Sequence, residues 1–172
     1  MKQWLPVVIA VGAVATAVVF AVLYFAKDSE PDTVAEQPCG DRIFGHIRSL
    51  VSKGDRYELR FDPAWFTSGE TANTAAAEDG KVAPGEPVPN DNYVVDESHD
   101  LLTYNVGPNA HVAVLTRHGN PANFGAASIS VAELAKVVDG TSRLDLFEPL
   151  ASGVWIRYRI DTVCALDQQY RP

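Results

Sequence analysis

The residues of this 172-residue chain that carry reactive chemistry are two cysteines, four histidines and 22 acids set against 14 bases. With only Cys39 and Cys164 present, a single intramolecular disulfide exists on paper. An oxidising compartment makes that bond the expectation; the alternative is one buried and one exposed thiol. His46, His99, His111 and His118 form no H-x-H, H-E-x-x-H or i,i+4 pair, so a transition-metal site would need chance convergence in the fold. Glu86, Asp91, Asp96, Glu97 and Asp100 crowd one stretch and supply the hard oxygens that a weak extracellular Ca²⁺ site uses. They lack the D-x-D-x-D-G spacing, and a solvated acidic loop is the plainer reading. Trp65, with Asp62 and Asn73 close in sequence, is a candidate platform for stacking a sugar ring, although tryptophan more commonly fills a core or its rim. Ser98-His99-Asp100 has the residue types of a triad, but neighbours along a turn point in different directions. No G-x-S-x-G, G-x-G-x-x-G or P-loop pattern occurs in the sequence. No catalytic residue is assigned, and no cofactor is implied.

These groups must be positioned by a chain whose most pronounced feature lies elsewhere. Trp4 to Ala26 contains no charged residue. As a helix it reaches about 34 Å, enough for a hydrocarbon core of roughly 30 Å. Trp4 and Tyr24 stand where aromatic rings favour the headgroup level. A cleaved signal peptide is the rival. The apolar run is long for one, and a cut after Phe25-Ala26 would put bulky Tyr24 at −3. The reading is therefore a single-pass anchor at 1–26 that contacts the membrane through Trp4 to Ala26. Lys2 flanks the inner end, and four acids follow Lys27, which places the remainder outside the cytoplasm. Residues 27–38, KDSEPDTVAEQP, are too polar and proline-rich to bury a core and read as a stalk. All 22 acids follow the anchor, a balance that argues against nucleic acid as a partner.

Residues 39–172 are the expected extracytoplasmic domain, mainly β. Arg56 to Asp62 alternate strictly, with Tyr57, Leu59 and Phe61 on one face, and Ile43 to Val51 precede them across a four-residue turn. Pro63 is expected to end that strand. Thr71 to Asp79 before Gly80 reads as a short helix. Tyr93–Val95 and Leu101–Val106 read as a second hairpin, His111–Thr116 as a strand, and 117–128 as a loop. Ser130 and Glu133 form a capping box for a helix that stops at Asp139-Gly140, and Val154 to Cys164 reads as one long strand. Short sequential strands predict an antiparallel sheet curled into a small barrel with two short helices. The likeness to an OB fold is loose, because the capped helix precedes only the last strand instead of lying between the third and fourth. The expected core is Ile47, Tyr57, Leu59, Phe61, Val95, Tyr104, Val112, Val114, Ile156, Tyr158 and Ile160.

Residues 54–64 (GDRYELRFDPA), 77–80 (AEDG), 88–91 (VPND) and the tail 166–172 (LDQQYRP) resemble a family of uncharacterised, membrane-anchored bacterial proteins of actinobacterial type. The resemblance covers most of the external domain. It implies an anchored extracytoplasmic β domain and supplies no catalytic positions. Two function classes follow. One is a binding or assembly module that docks on a protein partner in the membrane or envelope through a sheet edge or loop. The other is an envelope hydrolase using carboxylates from the long loops, since such a pair needs no local motif. Absence of a catalytic pattern favours the first.

Overall fold

The computed structural model describes residues 39–97, 100–118 and 120–171. The expected anchor Trp4–Ala26, the stalk Lys27–Pro38, and Ser98 and His99 of the triad-like turn lie outside the described residues. Among the described residues no helix is long and apolar enough to cross a membrane.

Five strands close a barrel. β1 (Asp41–Ser52) and β2 (Tyr57–Ser68) form the expected hairpin, followed by α1 (Gly69–Glu78) and the short β3 (Asn92–Val95). β4 (Leu102–His118), β5 (Asn120–Ser128), α2 (Val131–Val138), β6 (Val154–Arg159) and β7 (Thr162–Gln168) complete the chain. Around the barrel β1 pairs with β2, β2 with β4, β4 with β7, β7 with β6, and β6 with β1 again. Every pairing is antiparallel except β4–β7. β3 and β5 extend the sheet beyond the closed ring.

Alternation in β2 sets the core. Leu59 and Phe61 are fully buried beside Tyr104, Val106, Val112, Val114, Ile156, Val163 and Leu166, and Val131 and Leu134 of α2 join the same cluster. Ile47, Tyr57 and Tyr158 pack against it, so nine of the eleven expected core residues belong there. Val95 does not, because β3 lies off the barrel. Ile160 is 89 % exposed. It occupies a two-residue turn at φ 60°, between Arg159 and Thr162, which splits the expected long strand into the β6–β7 hairpin. Two strands therefore follow the capped helix, not one.

Other departures have local causes. A bulge between Ile47 and Ser49 shifts the register of β1, so that Leu50 turns inward while Val51 is 47 % exposed. β2 continues through Pro63 because β4 takes Tyr57–Phe61 of one edge and β3 takes Trp65–Ser68. At Pro63 that edge has no ladder partner, and the missing N–H costs nothing there. For the same reason β3 and β4 do not form the expected hairpin: both are bound to β2. The predicted loop 117–128 contains β5, whose residues are mostly small and uncharged. Its sequence, NPANFGAAS, carries no apolar alternation to read.

The disulfide Cys39–Cys164 is present, with its Cα atoms 6.0 Å apart. It fastens the first described residue to β7. Gly40 follows, and a Cβ there would lie 2.5 Å from the Tyr158 carbonyl oxygen.

Only half of the capping box forms. The Ser130 hydroxyl accepts from Glu133 N–H at 3.1 Å, but the Glu133 carboxylate turns to Ser142 Oγ (2.6 Å) and Lys136 Nζ (3.1 Å). The Ser142 hydroxyl, and then Lys136, hold its pKa below the ordinary carboxylate value of 4.5. A depressed folded-state pKa gives stability that is present above the unfolded value and lost as pH falls through the folded one. We expect Ser130→Ala to cost about 1 kcal/mol at neutral pH. Urea denaturation of Ser142→Ala should show a flatter decline than wild type below about pH 4.5. Parallel declines would remove the Ser142–Glu133 contact from the account.

Candidate docking surface

Trp65 and the five candidate cation-site acids belong to one appendage, built from the outer end of β2, α1, the loop 79–91 and β3, with Asp96, Glu97 and Asp100 just past the end of β3. Alanine-rich α1 packs Ala72 and Ala76 against Val88, Val82 and Tyr93. It ends as the sequence predicts: Gly80 sits at φ 68°, and Lys81 N–H reaches back to the Ala76 carbonyl. The Tyr93 hydroxyl donates to Asp79 Oδ2 at 2.8 Å; burial, and then that carboxylate, push the phenol's pKa up.

The register shows how the appendage is mounted. Trp65 pairs with Val95, Phe66 with Val94 and Thr67 with Tyr93, so Phe66 and Tyr93 occupy opposite faces of the β2–β3 ribbon. Tyr93 meets α1. Phe66 meets the outside of the barrel, where its ring lies 5.2 Å from Phe44 and 5.9 Å from Trp155. Phe44 is buried there, and the Arg42 guanidinium covers the Trp155 ring at 4.0 Å. Gly153 permits this packing, since a Cβ at that position would lie 2.2 Å from the Phe44 ring. His46 Nε2 and Asp96 Oδ2, 4.0 Å apart, form a second link.

The expected weak cation site is not assembled. Among the described residues no three His, Cys, Asp or Glu side chains are grouped to hold a metal ion. A Glu86 oxygen accepts from Ala83 N–H at 3.1 Å, Asp96 faces His46, and Asp91 and Asp100 are exposed without being gathered. Glu97 is exposed as well. Trp65 is 66 % exposed, but the polar groups expected beside it are committed elsewhere. Buried Asp62 accepts from Arg48 Nε at 2.9 Å, and Asn73 Oδ1 accepts from Val88 N–H at 2.8 Å.

The charge distribution divides the domain. Residues 69–101 hold eight acids and one base, Lys81, whereas 39–68 and 102–172 hold ten acids and eleven bases. On the barrel, Asp62 pairs with Arg48, Asp145 with Arg117, Asp167 with Arg157, Glu133 with Lys136 and Asp55 with Arg56. On the appendage, the Glu70 and Glu78 carboxylates have no hydrogen bond or ion pair among the described residues. This asymmetry is legible in the sequence, but only once the span of the appendage is known. The two carboxylates with displaced pKa values, Glu133 and Asp139, are both lowered, by hydrogen bonds from Ser142 and Thr141 first; a general acid needs the opposite. Compared with known protein families, characterised proteins and solved structures, the chain matches none.

Proposed function

We propose that residues 39–172 are an extracytoplasmic docking module of OB type, held at the cell membrane by Trp4–Ala26, with the β2–α1–β3 appendage as its contact surface. The observation that carries the reading is the net acidity of an appendage with eight acids against one base, its Glu70 and Glu78 carboxylates without partners among the described residues, clamped on a barrel whose own charges balance. Charged groups left without internal partners contribute to a field that steers association and selects a complementary surface. Exposed Trp65 adds the kind of aromatic anchor on which binding energy concentrates. Counted along the chain, the barrel strands adjoin in the order 1-2-3-5-4, the third and fifth are parallel, and α2 lies between the third and fourth. That arrangement supports the OB assignment, with the appendage inserted between strands 2 and 3. The disulfide agrees with a compartment outside the cytoplasm.

Protease added to intact spheroplasts carrying the full chain should remove the domain. The full chain extracted in mild detergent should retain a protein partner that a variant lacking 69–91 loses, while that variant keeps its disulfide. Protection of the domain until lysis, or a partner retained without the appendage, would overturn the reading.

A further inference from the structure

Resting on that docking reading, we propose that the groove between α1 and the Pro84–Gly85 turn receives an extended peptide segment with two lysine or arginine side chains four residues apart. The groove is open and encloses about 490 Å³, with Glu70 and Glu78 on its helical wall, Pro84 and Gly85 opposite, and Asn73 and Ala77 between. That volume suits a few side chains and no folded element. Glu70 and Glu78 stand eight residues apart on α1, which is about 12 Å along the helix axis. In an extended chain, residues i and i+4 point to the same side and are about 13 Å apart. One cation therefore reaches each carboxylate while the intervening residues lie along Ala77. Asn73 spends its carbonyl oxygen on Val88 N–H, which leaves its amide group to donate to a peptide carbonyl. The occupant is cationic by charge complementarity: the two glutamates are unpartnered, and 69–101 carries a single base. Each ion pair at so open a site contributes little alone, so the spacing of the two, not either charge, must supply selectivity.

The test uses the full chain in a neutral detergent and fluorescent, uncharged-background peptides with two arginines separated by four, three or two positions, together with the glutamate counterpart of the first. Fluorescence anisotropy at low salt should show the four-residue spacing binding at least fivefold tighter than the two-residue spacing. The glutamate peptide should not bind. Glu70→Gln/Glu78→Gln should weaken the preferred peptide at least tenfold, with the disulfide and thermal transition intact. Affinity independent of spacing, or unchanged in the double variant, would overturn the proposal. If the native partner still requires 69–91 while the arginine peptides ignore the groove, the docking reading stands and this inference falls.

Discussion

A chain lacking the Cys39–Cys164 bond should be less stable by about 5 kcal/mol in the chain-entropy account. The two cysteines are 125 residues apart in sequence, so the bond closes a loop that contains nearly all of the domain. The unfolded chain then loses much of its freedom at little cost to the native state. Marginal stability for a domain of this size is of the order of 5–15 kcal/mol, so the loss is a large share of the total. Urea denaturation of Cys39→Ser/Cys164→Ala against the oxidised wild type should show a lower midpoint. It should also show a steeper dependence on urea, because the open chain exposes more surface on unfolding. Wild type treated with reductant should reproduce the variant. A difference below about 1 kcal/mol would mean that the unfolded state is already compact without the bond.

The second large effect concerns Phe61 and Gly45, which meet across the β1–β2 hairpin. Phe61 is fully buried in the barrel, and its ring meets Tyr104 edge-on at 6.3 Å. Phe61→Ala should cost about 3–5 kcal/mol through lost burial and the cavity left behind. A Cβ on Gly45 would lie 2.1 Å from the Asp62 carbonyl oxygen and 2.8 Å from the Phe61 ring. Gly45→Ala should therefore destabilise by about 1–3 kcal/mol or more by overpacking. The double variant separates the two contacts. Truncating Phe61 removes the ring but leaves the backbone oxygen in place, so Gly45→Ala should remain costly in the Phe61→Ala background. Full rescue in the double-mutant cycle would show that the side chain, not the backbone, makes glycine necessary.

Much of this hairpin is legible in the sequence. Seven residues of strict alternation mark β2, and its Leu59 and Phe61 are fully buried in the barrel core. The partner strand shows the limit, because the bulge near Arg48 changes which residues face inward, and no propensity scale marks it. The β6–β7 turn is hidden for a related reason. Ile160 is a β-branched residue at φ 60°, a conformation that residue type rarely adopts, so an isoleucine in an alternating run reads as strand. β5 is hidden by its composition, since an outer strand of small residues lacks the apolar face that burial would demand. For the candidate site, the sequence shows the acids and Trp65 but not their separation in space. The five acids are split by β3, with Glu86 and Asp91 before it and Asp96, Glu97 and Asp100 after it, and no three of them are grouped to hold an ion among the described residues. Glu70 and Glu78, which do border one groove, escape a local reading because they stand eight positions apart in the sequence.

The Cys39–Cys164 bond also fixes the route by which mechanical load enters the domain. Without it, a pull transmitted through the residues before Cys39 would arrive at Asp41, the end of β1. It would peel Asp41–Gly45 away from β6 one pair at a time, the geometry that yields at the lowest force. With the bond in place, tension bypasses that end and reaches β7, which is hydrogen-bonded to β6 on one edge and to β4 on the other. Two ladders then share the load, and the rate of forced unfolding is set by their joint rupture rather than by fraying of one strand.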